Sequence, residues 1–364
     1  MMRAVLLGVP GTRRTQYFMQ AAKQACLPIL FLDWKNWQDK IKEAAHTGIW
    51  MKIDPPHWES CVLGELDELA GDYKKQLFEL IHAADTYDMR FWNHPSAIAA
   101  LLDKAKCKET LYRAGLSVTE LVAGNLSGGE AKESECACAD SAYTKCCAVQ
   151  NMEQLLELMQ KRGIYQVFIK PVNGSGAAGV SAFRWQKSSG RMALYTCTEN
   201  RPGLGLVNTK RLRCFSEPAQ IRSLLTQLLQ MDCIIERWHA KAEYQGCSYD
   251  LRAVIQGGRL DYLLARLSKG PITNLHLNNC PLDIDALKLP PAVLDEIAGL
   301  CQKAMELYPG LSGAGIDILL EKGTLKPRII EMNGQGDLIY QDIFHENRIY
   351  RRQAELMKRM GEET

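Results

Sequence analysis

The chain has 364 residues, enough for two or three domains at the usual ~100–200 residues each. Hydrophobic residues make up 46% and charged residues 24%, and the formal charge is +2, which argues against a bulk nucleic-acid or acidic-membrane partner. No apolar run approaches the ~18 residues of a spanning helix, the first residues read as strand and turn rather than as a signal peptide, and 13 scattered cysteines suit free thiols in a reducing cytoplasm.

In chain order, residues 4–7 read as a short strand, followed by a turn holding Gly8 and Gly11, a helix, and a second strand over 28–33. This β–α–β start predicts a parallel sheet. The two glycines do not form a GxGxxG fingerprint. Arg13 and Arg14 are read as solvated arginines in preference to holders of an anionic substrate group. Leu66, Leu69, Tyr73, Leu77, Leu80, Ile81 and Ala84 mark an amphipathic helix, and Asn93-His94-Pro95 interrupts the pattern as a domain boundary would.

A second unit opens with Asp103-Lys104 and a helix that ends at Gly115, then a strand over 116–122. Residues 124–147 are poor in apolar side chains and hold Cys136, Cys138, Cys146 and Cys147. That spacing matches no common zinc arrangement, so the stretch reads as a mobile insertion. A helix carrying Met152, Leu155, Leu156 and Met159 leads to a strand over 167–169. Lys170 ends this strand, and Gly174, Ser175, Gly176 and Gly179 fill the loop before a strand over 180–185. A lysine beside such a loop is suited to phosphate, because backbone amides approach oxygens where no Cβ interferes. The lysine precedes the glycines and a strand follows, so this is not a P-loop. Taken alone, the stretch serves equally as a hairpin with a surface lysine. Residues 199–213 are polar and basic, and a helix from Pro218 delivers the chain to the strand that ends in Glu236-Arg237-Trp238.

In the third unit, residues 249–256 alternate as a strand with Asp250 and Arg252 on one face, and Gly257-Gly258 turns the chain back through 259–267. With a two-residue turn, Arg252 and Arg266 would fall on opposite faces, so joint action on one substrate requires a bulge. A helix follows from Pro291, then strands over 315–320 and 328–333. Asp317 lies seven residues before Thr324 and Glu331 seven after it. A hairpin centred there sets the two carboxylates opposite each other, with Cβ atoms about 4.5–5.5 Å apart, and Asn333 on the same face. Carboxylates that close repel unless a cation lies between them, and this oxygen set suits magnesium.

In order and spacing, these motifs resemble the ATP-grasp superfamily, in particular its carboxylate–amine ligases, over roughly residues 93–350. The resemblance implies an α/β (α+β) ATP-grasp fold, with a pre-ATP-grasp domain over 1–94, a central lid subdomain over 95–235 and a C-terminal subdomain with the metal site over 236–364. It implies ATP-phosphate lysines at Lys104 and Lys170, and a phosphate-covering loop through Gly174, Ser175, Gly176 and Gly179. An adenine hinge falls at Glu236, Arg237 and Trp238, and a ribose carboxylate at Glu243. Asp317, Glu331 and Asn333 match the magnesium ligands, a site that manganese also suits. Arg252, Arg266, Asn274 and His276 match positions that meet the substrate carboxylate and the transferred phosphoryl group. The chain departs from the family after His276, at Leu277-Asn278-Asn279 in place of a basic residue and two glycines, and at Gly334-Gln335-Gly336-Asp337 after Asn333. Both changes bear on the acceptor substrate, and Asp337 is either a holder of an acceptor ammonium or a turn aspartate. The implied function is a cytoplasmic ATP- and magnesium-dependent ligase that joins a small-molecule or peptide carboxylate to an amine through an acyl phosphate. It has no nucleic-acid or membrane partner and acts as a homodimer or a monomer. The alternatives are a phosphotransferase on the same fold and an ATP-binding regulatory module without turnover.

Overall fold

The computed structural model describes residues 3–44, 48–57, 59–125, 149–277, 279–335, 344 and 347–362. The four clustered cysteines of the 124–147 stretch, Asn278 and Asp337 lie outside these residues. The described chain forms three sheets.

The first sheet is parallel, as the β–α–β start predicts, with strand order β2-β1-β3-β4. Its strands are β1 (Arg3–Gly8), β2 (Ile29–Asp33), β3 (Ile49–Ile53) and β4 (Met89–Phe91). Short β3 and β4, and helix α2 (Trp37–Ala44), went unread in the sequence. Helix α1 (Arg13–Gln24) starts where the Thr12 side chain accepts from the Thr15 amide. Helix α3 (Leu66–Thr86) lays Tyr73, Leu77 and Leu80 on this sheet.

The second sheet runs β5-β10-β6-β7-β8-β9, all antiparallel. Its members are β5 (Leu121–Asn125), β6 (Gln166–Pro171), β7 (Ser181–Gln186), β8 (Arg191–Arg201), β9 (Gly205–Phe215) and β10 (Cys233–Arg237). The strand expected at 116–122 begins later, at Leu121; Val118 makes only an isolated bridge to Ile329. The polar and basic stretch 199–213 pairs as the end of β8 with β9, and its Arg201, Lys210, Arg211 and Arg213 are exposed, so alternation there carries little hydrophobic signal. Helices α6 (Met152–Arg162) and α7 (Pro218–Leu229) cover one face of the sheet.

The third sheet runs β14-β13-β12-β15-β16, with β11 (Glu243–Tyr244) paired to β12. Its strands are β12 (Cys247–Gln256), β13 (Arg259–Ser268), β14 (Cys280–Asp283), β15 (Gly313–Leu320) and β16 (Pro327–Asn333). Helix α8 (Pro291–Glu306) packs Ile297, Leu300, Cys301 and Ala304 on it. Helices α4 (Pro95–Leu101) and α5 (Lys104–Arg113) send Leu101, Cys107 and Leu111 into the same core as Leu251 and Ile316. The stretch 95–118 is shared among cores: Ile98 and Leu102 join the first sheet's core, Ala105 meets Val172 and Ile234, and Leu101, Cys107, Leu111 and Val118 join the third sheet's. Helix α9 (Arg348–Glu362) returns to the first unit, where Ile349, Tyr350 and Met357 meet Phe18 and Ala21.

All nine described cysteines are free; Cys233 and Cys301 are buried, whereas Cys26 is exposed. No described helix is long and apolar enough to cross a membrane.

The turn between β6 and β7 has strict steric requirements. Gly179 has φ +71°, and a Cβ there would lie 2.5 Å from Pro171 Cγ. Gly179→Ala is expected to lower unfolding stability by about 1–3 kcal/mol, as a shifted urea midpoint with unchanged m.

Candidate active site

Two antiparallel sheets face each other across a partly open cleft. One wall comes from β6, β10 and the β6–β7 loop, the other from β12, β13, β15 and β16.

On the first wall, Lys170 stands opposite Ile234 and Glu236 opposite Phe168, so the two charged side chains are diagonal neighbours on one face. Lys170 Nζ donates to Glu236 Oε2 at 2.7 Å. Lys108, on α5, reaches Glu236 Oε1 at 2.7 Å and also donates to Thr119 Oγ1 and to the Ile330 carbonyl. Burial opposes ionisation of Glu236, but Lys108 and Lys170 outweigh it and hold the carboxyl down at about 2. Burial pushes Lys108 below the usual lysine range. Lys104 heads α5 just after its cap, where Asp103 accepts from the Lys106 amide. Its ammonium donates to the Gly174 carbonyl at 2.6 Å and lies 3.8 Å from Glu331. Lys104 and Lys170 are thus brought together, with Gly174, Ser175 and Gly176, at one end of the cleft.

The β6–β7 loop touches the first unit. Ser175 Oγ donates to Glu59 Oε1 at 2.8 Å, and the Asn173 side-chain amide donates to Asp67 Oδ1 at 2.7 Å. Gly174 and Gly176 take φ of +110° and +62°, open to glycine at little cost. Gly179 does not line the cleft; it shapes the loop's return.

On the second wall, Asp317 stands opposite Glu331, as the spacing predicts. The route differs from a hairpin symmetric about Thr324. Ile318 pairs with Ile329, so Ile330 is an extra residue, and this bulge restores the register. It also presents the Ile330 carbonyl to Lys108. Asp317 is opposite Arg252 on its other side. A second bulge, at Asp261, carries β13 from Ile255↔Leu260 to Val254↔Tyr262 and hence to Asp250↔Arg266. Arg266 thereby joins Arg252 and Asp250 on one face, the outcome that a plain two-residue turn forbids. Arg252 Nε lies 2.6 Å from Asp317 Oδ1, and Arg266 Nη2 lies 3.0 Å from Asp317 Oδ2. Arg266 Nε donates to Asp250 Oδ1 at 2.7 Å.

The repulsion expected between Asp317 and Glu331 is therefore relieved at Asp317 by two guanidinium groups, without an ion. No cluster of three His, Cys, Asp or Glu side chains that could hold a metal occurs among the described residues. The mixed set still fits magnesium in kind. Glu331 is 29% exposed at its side chain, Asn333 lines the cleft, and a carboxylate with two pairings has lone pairs left.

Other expected residues are placed differently. Arg237 lines the cleft, with its amide donating to the Glu120 carbonyl at 2.8 Å, and the Trp238 amide donates to the Gln166 carbonyl at 3.0 Å, so neither amide is open to a base edge. Trp238 packs on Phe168 and Tyr195 instead of lining the cleft. Glu243 is exposed and paired with Lys322 at 2.7 Å. Asn274 lines the cleft, whereas His276 is exposed in the turn after it, near Gly176.

Two lysines went unread in the sequence: Lys108, buried behind Glu236, and Lys241, which lines the cleft. Lys108 follows Lys104 by four residues on a helix, a spacing that puts both on one face and could have marked it. Lys241 is 9% exposed, donates to Thr273 Oγ1 at 2.7 Å and lies 3.7 Å from Asp250. Burial pushes its pKa to about 8 against the pull of Asp250. No local pattern marks it, because its surroundings come from distant strands. Arg266, Lys241 and Thr273 all meet Asp250, which they hold at about 2 against burial.

Solved structures share this architecture. The RiPP-associated ATP-grasp ligase of Chryseobacterium gregarium, in complex with ADP and a leader and core peptide, is 12% identical with a TM-score of 0.59. The alignment covers 99% of this chain and 97% of that one. The macrocyclase MdnC of Microcystis aeruginosa MRC, bound with precursor peptide MdnA, is 11% identical over 98% of this chain and 99% of its own, with a TM-score of 0.55. The D-alanine–D-alanine ligase of Bacillus anthracis is 11% identical over the whole of both chains, with a TM-score of 0.51. No family model matches the sequence, and no curated protein matches it.

Proposed function

We propose, for a chain whose fold is that of the ATP-grasp ligases, that the cleft is an ATP site and that the protein is an ATP-dependent ligase joining a carboxylate to an amine. The observation that carries this reading is the convergence of Lys104, Lys170 and the Gly174–Gly176 amides on one end of a cleft whose facing wall holds Arg252, Arg266, Glu331 and Asn333. Cations and amides at that end suit the phosphates, and the apolar surface of Phe168, Leu319 and Ile330 suits a flat base.

A substrate carboxylate oxygen attacks the γ-phosphorus, the bond from that phosphorus to the β-bridging oxygen breaks, and ADP leaves. The amine then forms the new C–N bond. The carbon–oxygen bond to the phosphoryl group breaks, phosphate departs, and the amine's surplus proton passes to phosphate or water. Lys104 and Lys170 neutralise phosphate charge, and the Asp317-braced guanidinium groups of Arg252 and Arg266 offer donors to the carboxylate and the moving phosphoryl group. Held by Glu331 and Asn333 with Asp317, magnesium supplies charge neutralisation at the phosphate oxygens when bound. The β6–β7 loop, latched to Glu59 and Asp67, excludes water that would hydrolyse the activated acid.

The test is ADP release on mixing candidate acids and amines, with hydroxylamine as the trapping amine. A hydroxamate that forms only with ATP and the correct acid is expected. Product formed without any hydroxamate would overturn the two-step route.

A further inference from the structure

Lys108 does not line the cleft and has no part in the chemistry set out above, yet it is buried and its ammonium meets three separate parts of the chain. It lies 2.7 Å from Glu236 Oε1 on β10, donates to Thr119 Oγ1 ahead of β5, and donates to the Ile330 carbonyl on β16 at 2.9 Å. Glu236 already has Lys170 as a partner, so one carboxylate faces two lysines. A second buried ammonium costs desolvation that the neutralisation of Glu236 does not require, which directs attention to its third contact.

That contact is at the bulge. Asp317 pairs with Glu331 and Ile318 with Ile329, which leaves Ile330 out of the ladder. On the outer edge of β16, Ile329 is fixed by backbone. Its amide donates to the Ser117 carbonyl at 2.8 Å, and its carbonyl accepts from the Thr119 amide at 3.0 Å. Lys108 supplies the donor for the next carbonyl, that of Ile330. This carbonyl belongs to the planar peptide unit that ends at the Cα of Glu331, so the lysine fixes the direction in which the Glu331 side chain leaves the strand. One turn earlier on α5, Lys104 lies 3.8 Å from the Glu331 carboxylate itself. Helix α5 therefore holds Glu331 at its backbone and at its side chain.

We propose that Lys108 is a positioning residue that holds the Ile330 bulge and thereby aims Glu331 for magnesium; without it the cleft keeps its hold on the nucleotide and loses its preference for the magnesium form. This inference rests on the ATP-ligase reading and adds a residue to that same site.

The experiment is calorimetric titration of AMPPNP into wild type and Lys108→Met, each in EDTA and in excess magnesium. Lys108→Met leaves Glu236 paired one-to-one with Lys170, so the fold and the far-UV circular dichroism should persist. The wild type is expected to bind AMPPNP more tightly with magnesium than in EDTA. Loss of a group that orients a metal ligand typically costs about 10–100-fold in metal affinity, so the variant's affinity in magnesium should fall about tenfold or more while its affinity in EDTA stays within about threefold. A merely structural lysine would move both affinities together. Lys108→Gln, which keeps an N–H donor without the charge, carries the test where the methionine variant does not fold, with the same split expected at about threefold or more. An equal change with and without magnesium, no change in either, or wild-type binding indifferent to magnesium overturns the inference and leaves the ATP reading standing. Failure of folded wild type to bind AMPPNP at all overturns both.

Discussion

Replacing Glu236 by leucine is expected to destabilise the protein by about 3–5 kcal/mol, because two lysines lose the buried carboxylate that compensates them. Glu236 is 2% exposed and its partner Lys108 is 3% exposed, so water cannot substitute. The measurement is urea unfolding at pH 7. Adding Lys108→Met to the same protein should return part of the loss, since one stranded charge goes with it. The pH dependence carries a second signature. The Glu236 carboxyl sits at about 2 in the folded chain and at about 4.3 in an unfolded one. Its folded pKa is depressed, so its contribution is fully present above the unfolded pKa and is lost as pH falls toward 2, by an amount on the order of 3 kcal/mol. In Glu236→Gln, the part of the acid sensitivity between pH 4.5 and 2 that belongs to this group should vanish. Unfolding curves with the wild-type slope in that window would show that the carboxylate is not held by the lysines.

The other large effect is on turnover. Lys170→Met removes the ammonium that reaches the phosphate end, while Glu236 retains Lys108. The proposed chemistry gains most from charges already in place where phosphate charge moves, and loss of one such group costs about 10²–10³ in kcat/KM. Fold and cleft shape should persist, because Lys108, Thr119 and the β10–β6 ladder remain. The check is steady-state ADP release alongside the far-UV and near-UV circular dichroism of the variant. A variant that turns over within a few-fold of wild type would remove Lys170 from the mechanism.

The residues that were legible in the sequence share one property: their signal is local. Lys170 with its glycines, Lys104 after its capping aspartate, and the equal spacing of Asp317 and Glu331 about Thr324 each lie within one supersecondary unit. The opposed carboxylates were expected through a symmetric hairpin and arise through a bulge at Ile330, so the right pair came with the wrong turn. The bulge at Asp261 decides whether Arg252 and Arg266 cooperate, and nothing in the run 256–262 announces it. Lys241 draws on Thr273, 32 residues away, as well as on Asp250, and Glu236 on Lys170 and Lys108, 66 and 128 residues away, beyond the reach of any periodicity. Arg14 belongs to the same group, since the space beside it is lined by residues 55–59, 98–104, 174–175 and 331–335, all distant from it in sequence. Trp238, Glu243 and His276 show the opposite failure. Their motif positions carry a family expectation, while ring packing, an exposed ion pair and an exposed turn place their side chains away from the cleft lining.

Whether the cleft is an ATP site is tested most directly by calorimetric titration of AMPPNP, with magnesium, into the wild-type chain and Lys170→Met. The account predicts saturable one-to-one binding to the wild type that weakens at least about tenfold in the variant. A wild-type chain that is folded and binds no AMPPNP, or a variant that binds it equally well, would contradict it.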